Sequence, residues 1–341
     1  SASTLDREIN LFSSWTNTVD NYSYSSRSVN ADLFNKYNFS SQVYAIVGVQ
    51  AQYFDMTQED AYTNIERDGA KFNIVDPYAT VVYNSNFGLN VNAGIRMNNH
   101  NVYGNHLVYN INPSYNFSNL PLKVLASYST AYITPSLYQL FSAYGNLDLK
   151  PEENATAELG FETNLFSKKL TVNVVGFYRE ETNAFGFFTN TSTWVSNYIN
   201  IDGTYNAKGV ETSVQFNLND KLTANGNYTF TEVEQPLSRL IAKHKINAGV
   251  DYMFSEKASF GLQYQFVDKR NDTFYNSLIW DNENVSLAAY QLVNANFRLN
   301  VIKNRLSLFG AVNNILNEEF QENIGYATKG RNYKLGLNFQ F

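Results

Sequence analysis

From residue 331 to residue 341 apolar and polar side chains alternate. Tyr333, Leu335, Leu337, Phe339 and Phe341 share one side, and Lys334, Gly336, Asn338 and Gln340 share the other. A period of two with one apolar and one wet face predicts a strand between an apolar medium and water. The same alternation recurs along the chain. Val43, Ala45, Val47, Val49, Ala51 and Tyr53 share a face, as do Leu89, Val91, Ala93, Ile95 and Met97. Further on come Leu222 to Phe230, Ile246 to Phe254 and Phe260 to Phe266, each on alternate residues. The pattern predicts about 16 strands.

The connections alternate as well. Short turns are expected at 38–42, 84–87, 116–121, 166–169, 219–221, 254–257 and 302–305. Long loops are expected at 56–71, 133–152, 183–204, 270–285 and 317–330. Two connections, 20–24 and 98–105, read as intermediate, and the first strand is placed near 4–18. Turns at one end and loops at the other predict an all-β, transmembrane antiparallel β-barrel, with turns periplasmic and loops extracellular. A stack of sandwiches would need connections of similar length at both ends. In the last strand, Leu335, Leu337 and Phe339 are expected to face lipid, and Lys334, Asn338 and Gln340 the lumen.

Composition agrees with that reading. Aromatics are 16% of the 341 residues, with 25 Tyr and 25 Phe, yet mean hydropathy is −0.35 and charged residues are only 16%. A lipid-facing strand spreads its apolarity over alternate positions, so a barrel looks polar on average. No run of about 18 apolar residues offers a helical span. The absence of cysteine excludes disulfides and thiolate metal sites. A net charge of −6 gives no basic footprint for nucleic acid.

Two stretches carry a family resemblance. Tyr132, Pro135, Asn146, Leu149, Pro151 and Glu152 match a segment of TonB-dependent outer-membrane receptors, with Thr134 and Leu147 departing from it. Asn314, Gly330 and Arg331 resemble that family's closing hairpin. The final strand, with Tyr333, Leu335, Leu337, Phe339 and terminal Phe341, resembles the signal read by the barrel assembly machinery. The spacing from Tyr144 to Glu152 most resembles vitamin B12 (cobalamin) receptors. The resemblance implies a bacterial outer-membrane location and a roughly 22-stranded barrel around a plug. It also implies a TonB box on that plug. This chain shows no plug-like stretch, so the plug and about six strands are expected from a second polypeptide or a missing N-terminal segment. Residues 1–341 are then the C-terminal part of the barrel, and its first and last strands are not expected to pair with each other. Implied partners are the TonB complex, the bilayer and, for some receptors of this type, a surface lipoprotein lid. Calcium loops of cobalamin receptors would fall outside this chain, so no cofactor or metal is assigned to it.

The candidate ligand residues are Tyr138, Tyr144, Asn146, Phe187, Trp194, Tyr198, Tyr275 and Trp280, all on long loops and mostly aromatic. Aromatic faces suit a large, partly apolar ligand. The simpler role is packing: prolines end strands and aromatics hold the loop to the wall. His100, His106 and His244 read as solvated loop histidines, and Glu59-Asp60, Glu152-Glu153 and Glu318-Glu319 as solvated charge. No catalytic constellation stands out. The expected function is TonB-dependent uptake of a large, scarce nutrient, cobalamin first. The alternatives are a siderophore or haem receptor, and a passive 16-stranded porin.

Overall fold

The alternating segments fold into long paired strands. A computed structural model describes residues 1–340 except 15, 61, 62, 191, 194 and 304. Trp194 and Phe341, both singled out above, lie outside the described residues. The strands begin with β1 (Ala2–Ser13), β2 (Thr18–Asn38), β3 (Val43–Glu59), β4 (Asn64–Ile65), β5 (Lys71–Asn84) and β6 (Leu89–His100). They continue with β7 (Gly104–Asn116) and β8 (Leu122–Ile133), then a short helix α1 (Leu137–Phe141), β9 (Glu152–Leu165) and β10 (Leu170–Thr182). Next come β11 (Phe185–Asn190), β12 (Val195–Asn200), β13 (Thr204–Asn219), β14 (Leu222–Val233), β15 (His244–Ser255) and β16 (Ala258–Val267). The last are β17 (Arg270–Asn276), β18 (Asp281–Leu287), β19 (Tyr290–Ile302), β20 (Leu306–Asn313) and β21 (Asn332–Phe339). Among the described residues a sheet of 17 strands forms, and β11–β12 and β17–β18 are separate hairpins. Apart from the two-residue β4, the sheet has the strand number that the alternation predicts.

All seven short turns fall where expected. The end that carries the long loops needs several corrections. Residues 20–24 are not a loop but lie inside β2, and the first strand ends at Ser13, so that the connection to β2 falls between Ser13 and Thr18. Only 101–103 turn between β6 and β7, and the long loops 183–204 and 270–285 contain the hairpins β11–β12 and β17–β18. A connection at 234–243 was missed. The segments that prove to be strand where a loop was expected share one physical reason. Beyond the bilayer a strand has water on both faces, so its side chains carry no period of two, and backbone pairing alone sustains it. Thus β1 pairs in register with Thr18–Val29 of β2, through Asp20, Asn21 and Tyr22.

The chain divides into two compact units, each described by itself. One comprises Ser1–Ser114, Ser127–Ala157 and Arg179–Thr204. The other comprises Tyr115–Ala126, Glu158–Tyr178 and Tyr205–Phe341. In the second unit β13 to β16, β19, β20 and β21 pair antiparallel in that order. Cross-strand partners share a face, so the register joins Val214, Tyr228, Ile246, Val250, Leu262, Phe297, Leu299, Leu335 and Leu337 into one apolar band. Their exposures run from 36% to 73%. An exposed apolar band of this extent needs lipid against it. The opposite face carries Asn225, Asn227, Asn247, Gln263, Asn294 and Asn296, and the Asn247 amide donates to Asn227 at 2.9 Å. Lys334 lies on that wet face, its Nζ 5.8 Å from the Phe309 ring, as the terminal alternation predicts. Two glycines admit aromatic neighbours across the sheet: Phe297 lies over Gly310 and Phe309 over Gly336.

In the first unit, Val47, Val49, Val75, Val81 and Ile95 form the exposed apolar face of β3, β5 and β6. Behind them the wet face is hydrogen-bonded. Tyr78 donates to Asp32 at 2.9 Å, and Arg96 donates to Gln50 at 2.6 Å while stacking over the Tyr78 ring at 4.9 Å.

Candidate functional site

The segment between β8 and β9 is built by local rules. Ser136 caps α1: its Oγ accepts from the Gln139 N–H at 3.2 Å, and Gln139 Oε1 accepts from the Ser136 N–H at 2.8 Å. This capping box is readable in Ser136-x-x-Gln139. The helix buries Leu137 and Leu140, and Leu137 packs against Met56, Ala70 and Phe72 at the loop ends of β3 and β5. Beyond α1 the chain doubles back. The Asn146 N–H donates to the Gln139 carbonyl at 2.9 Å, and its side-chain oxygen accepts from the Asp148 N–H at 2.9 Å. Leu149 is only 2% exposed, and Pro135 is fully buried.

The motif residues therefore fold the loop. Tyr132 stacks on His106 at 4.2 Å, and Glu152 accepts from the Phe185 N–H at 3.4 Å. Burial, and then the neighbouring Glu181, raise the Glu152 carboxyl above its ordinary range. Glu152 is thus not the solvated charge expected. The histidines also pack rather than float. His100 is 3% exposed, with its Nδ1 accepting from the Val102 N–H at 3.0 Å, and His244 lies 2.9 Å from the Tyr228 hydroxyl.

The same loop is tied to the hairpin β11–β12. The Asn146 amide donates to the Tyr198 carbonyl at 2.9 Å, and the Tyr198 N–H donates to the Tyr144 carbonyl at 3.0 Å. Asn200 brackets Lys150 through two further bonds, at 2.7 and 2.9 Å. These ties bring the aromatics together. Tyr144 meets Phe187 edge-on at 5.7 Å, Phe187 meets Tyr198 at 5.2 Å, and Tyr198 meets Tyr138 at 6.3 Å. Tyr24, which the sequence did not single out, adds its ring 6.5 Å from Tyr138. Burial raises the Tyr138 hydroxyl above its ordinary pKa, so it stays a neutral donor. Tyr144 and Phe187 remain 47% and 54% exposed, presenting aromatic faces and edges to solvent. Five of the eight candidate residues thus form one cluster: Tyr138, Tyr144, Asn146, Phe187 and Tyr198. Tyr275 and Trp280 belong to the second unit, on the hairpin β17–β18, where they are 48% and 64% exposed. In that unit Asn314 is 4% exposed and holds the closing loop through the Glu318 N–H and carbonyl, at 2.8 and 2.9 Å. Arg331 and Gly330 follow, with the Arg331 N–H donating to Asn317 at 2.9 Å.

Two buried aspartates clamp the loops, and no sequence pattern announced either. Asp55 lies near the loop end of β3, beyond its apolar band, and receives Arg27 at 2.7 Å and Arg67 from the loop that follows. Burial pushes its carboxyl upward, but the arginine hydrogen bonds prevail and hold it at about 2, below the ordinary 3.8. Asp272 is 1% exposed and joins three segments, accepting from Arg239 at 2.8 Å and from the Ile324 N–H at 2.9 Å. Its carboxyl also ends below the ordinary value, because these donors outweigh burial. A folded-state pKa below the unfolded one stabilises above the unfolded value and is lost as pH falls through the folded value. The Asp55 clamp should therefore hold down to pH 3.8 and fail as the pH falls from there through about 2. Asp55→Asn should loosen the 60–70 loop already at neutral pH. The expected cost is about 1–3 kcal/mol, toward the lower end because solvent screens the half-exposed Arg27. Hydrogen exchange of residues 63–70 in both forms between neutral and acid pH checks this; equal protection at neutral pH would refute it. Among the described residues, no group of three or more histidine or acidic side chains is placed to hold a metal ion.

Comparison with known proteins agrees with this architecture. A family model described as "TonB dependent receptor-like, beta-barrel" matches residues 2–315. The "Vitamin B12 transporter BtuB" of Vibrio cholerae serotype O1 is 31% identical over 224 residues, covering 64% of this chain and 34% of that protein. The chain thus spans about a third of the length of the curated relatives it matches. Among solved structures, "Copper transporter OprC" superposes with a TM-score of 0.83 at 14% identity, covering 100% of this chain and 62% of the other. The siderophore receptor PirA from Acinetobacter baumannii gives 0.79 at 14% identity, covering 100% and 59%. These structural likenesses speak for the fold.

Proposed function

Because the chain belongs to the TonB-dependent receptor β-barrel family of the outer membrane, we propose that it supplies the wall and ligand-binding loops of an active-transport receptor for a large organic nutrient. The family is one of transport receptors rather than enzymes, and a passive general porin no longer fits. The aromatic cluster of Tyr138, Tyr144, Phe187 and Tyr198, clamped by Asn146, carries this reading. Rings held in place by main-chain bonds lose little entropy when a broad, partly apolar ligand stacks on them. Cobalamin is the first ligand proposed, supported by the spacing around Asn146 and by the relative in Vibrio cholerae. A metal chelate of the siderophore or haem type is the second. The driving force would come from the TonB complex acting through a plug carried outside this chain, and a surface lipoprotein lid would close over the loops.

The test is equilibrium binding of cyanocobalamin to the native protein in outer-membrane vesicles. Tyr138→Ala, Phe187→Ala and Tyr198→Ala should each cost about 1–3 kcal/mol, roughly 5- to 150-fold in affinity. Unchanged affinity in all three would remove the cluster from the binding site. Saturable binding of a ferric chelate or haem in place of cobalamin would select the second ligand class. Non-selective passage of small solutes with no saturable ligand would end the receptor reading.

A further inference from the structure

His100 ends β6, beyond the apolar face that runs from Leu89 to Met97, and its side chain caps the turn into β7. Its Nδ1 accepts from two main-chain donors, the Val102 N–H at 3.0 Å and the Tyr103 N–H at 3.3 Å. A ring nitrogen that accepts carries no proton, so the neutral imidazole holds its proton on Nε2. Nε2 is buried and meets no partner among the described residues. The ring packs against Phe72 at 4.7 Å and Tyr103 at 5.0 Å between centroids. Phe72 belongs to the apolar cluster with Met56, Ala70 and Leu137, on which Tyr138 and Phe141 of α1 also pack. The imidazole is thus one side chain removed from the helix that presents Tyr138 to the aromatic cluster.

Protonating this ring is incompatible with the turn. A proton on Nδ1 would face the two N–H donors that it now accepts from, and a full charge would enter an apolar setting. Among the described residues no carboxylate reaches the ring to offset that charge. The titratable groups around it are otherwise engaged or turned away. The Tyr103 hydroxyl is buried, and burial raises its pKa, so it stays neutral. Asp76 of β5 is held by Arg96 at 3.4 Å and by the Asn99 N–H at 3.3 Å. Asp55 and Lys71 alternate to the face away from Phe54 and Phe72. On β7 to β9, His106 lies 3.6 Å from Glu153 and stacks on Tyr132. Burial alone therefore lowers the His100 pKa below the ordinary 6.5. With the folded-state value below the unfolded one, the turn is fully stabilised above pH 6.5 and loses that stability as the pH falls below it.

We propose that His100 is an acid-sensitive latch for the ligand loop. Neutral, it holds the β6–β7 turn and seats Phe72 against Leu137. Protonated, it no longer accepts from Val102 and Tyr103, the turn opens, and α1 loosens together with Tyr138. Ligand affinity is then high at neutral pH and lower in mild acid. The control of affinity rests on the receptor reading above, whereas the opening of the turn rests on the fold alone. The Asp55 clamp gives way only below pH 3.8, so it does not contribute in this window.

The first test needs no ligand. In the native protein in liposomes, amide protection factors at residues 100–104 and 137–141 should fall about 3- to 30-fold between about pH 7.5 and 5, while β14 to β16 keep theirs. His100→Asn leaves an acceptor, Oδ1, where Nδ1 stood but takes up no proton, so its protection should not change over that range. His106→Gln and His244→Gln should leave the wild-type response intact. Wild-type protection independent of pH, or an equal fall in His100→Asn, overturns the latch. Should His100→Asn fail to fold, as heat-modifiable gel mobility shows, the wild-type His100 ring is titrated by nuclear magnetic resonance. Its midpoint must then match that of the Val102 amide, and a mismatch overturns the latch. The second test is cyanocobalamin binding in outer-membrane vesicles. Affinity should weaken over the same range by a similar factor in wild type and not in His100→Asn. Affinity independent of pH while the turn opens overturns the link to the ligand site. If cyanocobalamin binds at no pH, the first ligand proposed above is wrong, and amide protection alone decides the latch.

Discussion

Val250→Arg is expected to cost about 2–4 kcal/mol of barrel stability, the penalty for a guanidinium on the lipid face near the bilayer midplane. Val250 lies near the middle of β15, 43% exposed, with Ala224 and Leu262 as its cross-strand partners on the same apolar band. Asn247→Arg, three residues away on the wet face, should cost far less, because its long side chain meets water and other amides there. The measurement is urea unfolding of the native protein in liposomes, followed by far-ultraviolet circular dichroism. Equal losses for the two would mean that the two faces do not differ in solvent, and the membrane assignment of this sheet would fall. The reverse order would mean that the faces are exchanged, an outcome that a one-residue register slip would produce.

Leu149→Ala should cost about 2–5 kcal/mol of local stability, the range for truncating a fully buried leucine. Leu149 is 2% exposed and lies between Asn146, which bonds both Gln139 and Tyr198, and Lys150, which is bracketed by Asn200. The loss should be confined to the 133–152 loop and the hairpin it holds, not the sheet. Hydrogen exchange should rise across residues 136–150 and 195–200 while strands β14 to β16 keep their protection. Ligand affinity should fall with it, although Leu149 is too deeply buried to touch a ligand, because the rings of Tyr144 and Tyr198 lose their shared anchor. Protection unchanged in the loop would show that the motif residues do not hold the site. Exchange rising throughout the sheet would show that the loop is part of the global cooperative unit.

Much of the loop was legible in advance. Pro135, Asn146, Leu149 and Glu152 were singled out as a motif and Tyr138, Tyr144, Phe187 and Tyr198 as candidate contacts, and these contacts meet in one cluster. Their roles were not legible. Asn146 was singled out as a motif residue and candidate contact, and its bonds tie the loop to the neighbouring hairpin, since a side chain's partners depend on what the fold brings within 3 Å of it. Arg27, Asp55 and Arg67 lie up to 40 positions apart, and no local pattern could join them. The same holds for Arg239, Asp272 and Ile324.

The sequence by itself determined the strands that cross the bilayer, their number, the seven short turns and the face of each side chain. Lipid on one side and water on the other impose a period of two on every such strand, and that period is written residue by residue. Tertiary structure alone decided the part at the long-loop end: the extension of β2 through residues 20–24, the hairpins β11–β12 and β17–β18, and the aspartate clamps. There both faces meet water or other loops, the alternation fades, and only contacts between distant segments choose the conformation.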